Sequence, residues 1–299
     1  MRRIKVVGLC LLAVLAVSAV ATASASAGLP EFGGCEATAG GKYEDSACTV
    51  RAHSRKADGK YEWYTGAQFG TVWRKERGSE IPYKLEHNHE WEFGPVTFET
   101  AAGRTIQCTV GEREHEGGYG SLHLLNEHPK EVGEVRFEIE ECTSEGAPCY
   151  SLPYEDLNNR DQWYYEGGFI GKLGFISGRG TESPVVGLSL TTPKNSESGE
   201  DVPLLVANCE GKVGTITIGG SHPKEQGNGL IALVTTVDTP THSLGLAWSE
   251  SHGVQEPSGF EHEHIGLQAL VESEWEPVAM QAEVSIPISG PALEVKAKP

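Results

Sequence analysis

The chain has 299 residues, with 42 acidic against 24 basic side chains and a formal net charge of −18 at pH 7. The negative electrostatic field of such a protein repels phosphate backbones and anionic lipid surfaces, so nucleic acid is not an expected partner. The acid is nearly all glutamate, and no Asp-x-Asp run of the kind found in calcium loops occurs. The acidic residues are therefore predicted to be solvated surface side chains that keep an exported protein soluble.

Residues 1–27 have the composition of a secretory signal. Basic residues come first, an apolar run covers 6–20, and small residues at 25–27 supply a cleavage site. The apolar run is short for a membrane span, and no second long apolar run follows. Cleavage would leave 28–299, and we expect an extracellular protein without a membrane span.

Cysteines in the expected mature chain are even in number, which in an exported protein indicates disulfides. They are Cys35, Cys48, Cys108, Cys142, Cys149 and Cys209. Sequence leaves the pairing open, but local closure favours Cys35–Cys48 and Cys142–Cys149, with Cys108–Cys209 as a long bridge. The spacings are not those of a zinc knuckle, so disulfides are preferred to a metal site.

The first stretch of the expected mature chain, Gly28–Cys48, is rich in Gly and Cys and predicts a disulfide-stapled flap rather than a core element. Segment 60–64 follows an Asp58-Gly59 turn. Its alternation predicts a strand with Tyr61 and Trp63 facing inward.

Two strands are predicted between residues 91 and 110. The first, 91–98, is broken by Gly94-Pro95, and the second, Thr105–Val110, is rich in β-branched residues. Further along, Leu122–Asn126 predicts a short helix that Pro129 ends.

The stretch 135–142 has a period of two, because Val135, Phe137 and Ile139 alternate with charged residues. Such alternation is typical of a strand with one buried face. Cys142 is one residue out of phase with the apolar set, so we expect it past a β-bulge or in the turn that follows.

Six later segments predict short strands separated by Gly, Ser and Pro. They are 169–176, 185–190, 204–209, 213–218, 230–237 and 282–288. Segment 230–237 is nearly all apolar, as an inner strand covered on both faces would be. Segment 265–271 fits a helix or a strand, and Gly266 favours the strand. Leu293 and Val295 predict a closing edge.

Many short strands with hardly any helix predict an all-β fold. We expect a mostly antiparallel β-sandwich or barrel-like sheet with short helical turns and about three disulfides. Residues 28–299 are expected to form one domain. The polar segment 191–201 lacks apolar anchors and is where a subdivision would fall.

Short motifs are spread over most of the expected mature chain. They are Leu29-Pro-Glu-Phe32 with Cys35, the 41–48 unit, Thr105–Cys108, the segment from Phe137 to Cys149, Val185–Leu190, Asn208-Cys209 and Leu293-Glu-Val295. Together they resemble a group of secreted β-rich proteins of soil actinobacteria that has no assigned activity. The resemblance implies an extracellular β-rich fold and carries no catalytic residue across.

Two His-x-His segments are the sharpest local candidates for chemistry: His87/His89 and His262/His264. On a strand, the imidazoles of each pair project from one face, and two such pairs could hold Zn²⁺ or Cu²⁺. The metal site requires the pairs to be neighbours in the fold. Otherwise they are a polar surface cluster.

Other catalytic signals are weak. The sequence has no Gly-x-Ser-x-Gly elbow, no His-Glu-x-x-His and no Gly-rich phosphate loop. Glu138 and Glu140 approach the paired acids of a glycosidase, but Cys142 stands where the proton donor is needed. These glutamates are therefore predicted to face solvent, and we expect no cofactor.

Aromatic residues cluster after Cys149, beside Asn, Asp and Arg. They are Tyr150, Tyr154, Trp163, Tyr164 and Tyr165. Such rings and polar groups can stack on a sugar and bind its hydroxyls, although large aromatics also pack loops onto their own sheet. The sequence favours a non-enzymatic protein that binds an extracellular or cell-wall glycan or a surface component. The alternative is a secreted hydrolase or metal-binding protein that uses the His-x-His segments.

Overall fold

A computed structural model describes much of the chain downstream of residue 29. The described residues are 30–52, 58–65, 92–109, 121–124, 130–136, 139–151, 162–163, 169–192, 194, 199, 201–210, 214–219, 227–288 and 292–298. Within them the fold is all-β, as predicted. None of these residues belongs to a helix that could cross a membrane.

The described part of the chain contains 21 strands. They are β1 Glu31–Gly41, β2 Gly59–Thr65, β3 Glu92–Phe93, β4 Val96–Thr100, β5 Thr105–Thr109, β6 Ser121–Leu124, β7 Glu131–Arg136, β8 Ile139–Ser144, β9 Ala147–Ser151, β10 Gln162–Trp163, β11 Phe169–Ser177, β12 Val185–Thr191, β13 Pro203–Cys209, β14 Gly214–Gly219, β15 Gly227–Val234, β16 Ser243–Ser251, β17 Val254–Glu256, β18 Gly259–Phe260, β19 Glu263–Val271, β20 Glu274–Pro287 and β21 Glu294–Lys296.

Eight strands close an antiparallel barrel. Their order around the wall is β4, β5, β8, β9, β13, β14, β19 and β20, and β20 pairs again with β4. Four hairpins make up this barrel, β4–β5, β8–β9, β13–β14 and β19–β20, so their turns all lie at one end. We call it the hairpin end.

A second antiparallel sheet continues from the opposite end of the barrel. Its order is β6, β7, β11, β12, β15, β16, β20 and β3. The 14-residue strand β20 belongs to both: residues 274–281 pair within the barrel, and residues 282–287 pair with β16. Segment 191–201 connects β12 of this sheet with β13 of the barrel.

A three-stranded terminal sheet, ordered β2, β1 and β21, joins the two ends of the described chain. Phe32 of β1 and Val295 of β21 are opposite each other and belong to the main hydrophobic core. The prediction of a flap at Gly28–Cys48 is therefore wrong, because β1 contributes a fully buried Phe32 to that core.

One hydrophobic core fills the barrel and extends under the second sheet. In β19, residues Ile265, Leu267, Ala269 and Val271 are buried in strict alternation, which confirms the strand predicted for 265–271. In β15, Leu230 and Ala232 face the main core, whereas Ile231 packs with Phe260 and Ile265 on the other face. The strand is thus covered on both faces, as predicted, but it ends at Val234.

Most other predicted strands are confirmed. The break predicted at Gly94-Pro95 separates β3 from β4, and the strand predicted at Val295 is β21. The predicted helix at Leu122–Asn126 is wrong, because Ser121–Leu124 is a strand paired with β7. Of the two positions predicted for Cys142, in the following turn or past a β-bulge, the structure confirms the bulge. It is a register shift between β5 and β8, where Gln107 is opposite Thr143 and Thr109 is opposite Glu140.

Three disulfides form: Cys35–Cys48, Cys108–Cys142 and Cys149–Cys209. The first is as predicted, but the predicted Cys142–Cys149 and Cys108–Cys209 pairs are wrong. The four barrel cysteines lie on consecutive strands, β5, β8, β9 and β13. Cys108 and Cys209 are therefore three strand spacings apart, or about 14 Å. Bridged Cα atoms lie within about 7 Å, so Cys108 and Cys209 cannot pair. Cys142 and Cys149 lie on neighbouring strands, but a bridge between them would leave Cys108 and Cys209 without a partner within reach.

Candidate functional site

The histidines predicted as metal ligands are only partly described. His262 lies in the turn between β18 and β19 with φ 74°, and His264 is the second residue of β19, opposite Gly259. Both side chains are exposed. His87 and His89 lie outside the described residues, so the convergence of the pairs stays a prediction. Among the described residues, no three His, Cys, Asp or Glu side chains are grouped to hold a metal.

The predicted aromatic site begins on the barrel wall. Tyr150 lies on β9, half-buried, and its hydroxyl donates to Oε1 of Glu210 at 3.4 Å. The backbone of Trp163 lies on β10, opposite Ile139 of β8. Tyr154, Tyr164 and Tyr165 lie outside the described residues, so their role in binding stays a prediction.

Tyr150 stands at one edge of a strip on the outer face of the barrel. Strand alternation produces this strip, because the intervening residues of β9, β13, β14 and β19 point into the core. Its members are half-buried or exposed: Tyr150, Val206, Asn208, Thr215, Thr217, Gln268, Leu270 and Trp275. We call these residues the neutral wall, because none of them is an acidic or basic residue (Asp, Glu, His, Lys or Arg).

The register of the strands orders the neutral wall into two main rows. Tyr150, Asn208 and Thr215 are consecutive partners in the first row. Val206, Thr217, Leu270 and Trp275 are consecutive partners in the second. Five strands at a spacing of about 4.8 Å give a strip about 19 Å long.

Beneath the first row lies a disulfide. Cys149 and Cys209 are directly opposite in the β9–β13 register, one residue before Tyr150 and one after Asn208. The bridge fixes the register of these two strands, so the positions of Tyr150 and Asn208 are set by a covalent link.

Glutamates border the neutral wall at the hairpin end. Glu210, Glu272 and Glu274 are exposed in or beside the turns. Glu276 differs, because its carboxylate accepts from the Arg104 guanidinium and from the Ala102 backbone N–H at 3.2 Å. Glu276 thus holds the β4–β5 turn in place.

A second polar site is buried in the terminal sheet. Strand β21 is covered on both faces: Leu293, Val295 and Ala297 are buried with the main core, and Glu294 and Lys296 alternate with them. Glu294 is 1% exposed and Lys296 is 5% exposed. The alternation of apolar and charged residues in β21 therefore places the side chains of Glu294 and Lys296 in the interior of the protein.

Aromatic rings and a carbonyl surround the Lys296 ammonium. Its Nζ donates to the Cys48 carbonyl oxygen at 2.8 Å and lies 4.6 Å from the centre of the Trp63 ring and 5.0 Å from that of Tyr43. Such cation–π contacts stabilise a desolvated cation. Trp63 Nε1 also donates to Glu31 Oε1 at 2.7 Å, and Glu31 is opposite Lys296 in the β1–β21 register.

Acids outnumber the lysine in this ionic cluster, which we define as Glu31, Asp45, Asp238, Glu294 and Lys296. Burial is the main cause that raises the pKa of Glu294 to about 7; Lys296 opposes it, and Asp238 and Asp45 add to it. Burial also raises the pKa of Glu31 and lowers the pKa of Lys296. The cluster can therefore take up a proton near neutral pH.

The sequence prediction missed the ionic cluster. Leu293 and Val295 indicated the strand, and the alternating Glu294 and Lys296 would ordinarily be assigned to a solvent face. The one available signal was the predicted inward orientation of Trp63, which supplies the ring over Lys296.

Comparison with models of protein families, with curated proteins and with solved structures gives no match in any of the three. The resemblance to secreted actinobacterial proteins therefore stays a prediction. Function must be argued from the neutral wall and the ionic cluster themselves.

Proposed function

We propose that the chain is a secreted, non-enzymatic protein that binds a neutral glycan of the cell surface or cell wall through the neutral wall. The observation that carries the proposal is a two-row strip that combines two aromatic rings with amide and hydroxyl groups on a rigid barrel. Aromatic faces stack on sugar rings, and amides and hydroxyls bind sugar hydroxyls.

Charge supports a neutral ligand. The formal net charge is −18, and Glu210, Glu272 and Glu274 flank the strip. An anionic polysaccharide would be repelled by that border, whereas a neutral chain is unaffected. The residues that face the ligand are uncharged, so no buried charge has to be desolvated on binding.

Rigidity supports binding by a flat surface. The Cys149–Cys209 bridge and the barrel hydrogen bonds hold Tyr150 and Asn208 in place before the ligand arrives. Preorganisation of this kind lowers the entropic cost of binding. Export is supported by the three disulfides, which persist in oxidising compartments.

Retention on insoluble polysaccharides tests the proposal. The purified protein is mixed with cellulose, xylan, chitin and an anionic control such as pectin, and the bound fraction is measured. We expect retention on at least one neutral polymer, and loss of it in the variants Asn208→Ala and Trp275→Ala.

Two matched controls separate binding from folding. Gln107→Ala removes an exposed amide from the outer face of β5, and Tyr64→Ala removes a half-buried ring from β2, both away from the neutral wall. Both are expected to keep wild-type retention. The proposal is overturned if the wild-type protein is retained by no neutral polymer, or if folded Asn208→Ala and Trp275→Ala bind as well as the wild type.

A further inference from the structure

Strand β21 is held at both of its edges. On one side it pairs with β1, from Glu31 opposite Lys296 to Gly33 opposite Glu294. On the other side, the Asp238 N–H donates to the Val295 carbonyl at 2.8 Å, and Thr241 exchanges two backbone hydrogen bonds of 2.8 Å with Leu293. The C-terminal strand is thus inserted between β1 and the 238–241 loop.

Asp238 also fixes the residues that follow β21. Its Oδ1 accepts from the backbone N–H of Ala297 at 2.7 Å and of Lys298 at 3.0 Å. These two bonds hold the residues just beyond β21 against the 238–241 loop.

The ionic cluster around β21 contains four carboxyl groups and one ammonium group, and its buried members are not paired directly with each other. Lys296 Nζ donates to the Cys48 carbonyl rather than to a carboxylate, and Glu294 Oε2 has no hydrogen-bond partner among the described residues. An ionised Glu294 would therefore be a buried charge with an unpaired oxygen, which is costly. A protonated Glu294 removes that charge.

We propose that β21 is a proton-sensitive latch, which stays docked while Glu294 is protonated and opens more readily when Glu294 ionises. The groups that face Glu294 favour its proton: Asp238 from the 238–241 loop and Asp45 from the loop after β1 both repel the carboxylate. Lys296 on β21 itself acts in the opposite direction. Glu31 on β1 lies opposite Lys296, so the Lys296 ammonium is attracted to the Glu31 carboxylate as well as to Glu294.

The sign of the effect follows from linkage. The pKa of Glu294 rises from 4.5 to about 7 in the docked strand, so docking weakens as pH increases between these values and levels off above the upper one. For a single group with these two pKa values, opening becomes about 30-fold more frequent between about pH 5.5 and about pH 8.5. Opening would uncover the β1 edge and the Trp63 ring.

Hydrogen exchange of the full chain, followed by mass spectrometry of peptides that cover 292–298, tests the latch. After correction for the intrinsic exchange rate, we expect protection of this segment to fall about 30-fold from about pH 5.5 to about pH 8.5. Glu294→Gln should keep the segment protected at both pH values. The control Glu99→Gln, on the outer face of β4, should retain the wild-type pH dependence.

A second variant covers the case in which Glu294→Gln alters folding. Asp238→Asn removes a neighbouring negative charge, so the midpoint of the wild-type transition should move to lower pH. The latch is overturned if wild-type protection at 292–298 is equal at both pH values, or if either variant leaves the transition unchanged.

Discussion

The free energy of unfolding of the whole chain should depend on pH through the titration of Glu294. The pKa of Glu294 is about 7 in the folded chain and 4.5 in the unfolded chain. Since a tenfold difference in proton affinity is worth about 1.36 kcal/mol, proton binding by Glu294 contributes roughly 3 kcal/mol to the free energy of unfolding. The folded-state pKa is the raised one, so this contribution to the free energy of unfolding is present at low pH and lost as pH rises from 4.5 to 7.

The perturbation that isolates it is Glu294→Gln, an uncharged side chain of similar shape. Denaturant unfolding of both proteins is measured between about pH 4.5 and about pH 8, and the variant curve is subtracted from the wild-type curve. Other titrating groups cancel in the difference. We expect the wild type to lose roughly 3 kcal/mol relative to the variant across this range.

A flat difference curve would refute the reasoning, because it would mean that Glu294 titrates alike in the folded and unfolded chains. A difference of opposite sign would mean that the carboxylate is stabilised, which a partner within the ionic cluster would have to explain. The control Glu274→Gln, at an exposed position beside the β19–β20 turn, should give no pH-dependent difference.

Three further predictions follow from the same structure. Proteolysis without reduction should release Cys108–Cys142 and Cys149–Cys209 peptides, and a Cys108–Cys209 peptide would contradict the strand order of the barrel. Gly33→Ala should destabilise the chain by about 1–3 kcal/mol in thermal unfolding, because a Cβ there lies 2.6 Å from the Trp63 ring; unchanged stability would contradict that packing. Glycan retention should be insensitive to salt from about 0.05 M to about 0.5 M, since the neutral wall has no charge to screen; steep salt dependence would indicate an ionic ligand.

The sequence predicted those features that depend on local periodicity. In β19, Ile265, Leu267, Ala269 and Val271 alternate because one face meets the core, and that pattern is visible in the residues alone. The bulge before Cys142 was visible for the same reason, as a break in the period of two. The short helix at Leu122–Asn126 failed because pairing with β7 overrides weak helical preference in so short a segment.

Features that depend on strand order could not be predicted. β8 and β9 lie between β5 and β13, which keeps Cys108 and Cys209 apart, and no spacing in the sequence shows this order. The burial of Lys296 depends on a carbonyl 248 positions away, at Cys48. The neutral wall likewise joins Tyr150 and Trp275 through three intervening strands, so the sequence revealed the first ring but not the surface to which it belongs.

Backbone NMR of the labelled protein, titrated with soluble cello-, xylo- and chito-oligosaccharides, tests the central claim most directly. We predict that one of these neutral ligands shifts the amide signals of Asn208, Thr215 and Thr217 together, and leaves those of β2 and β5 in place. Shifts confined to residues outside the neutral wall, or no shifts with any of the three, would contradict it.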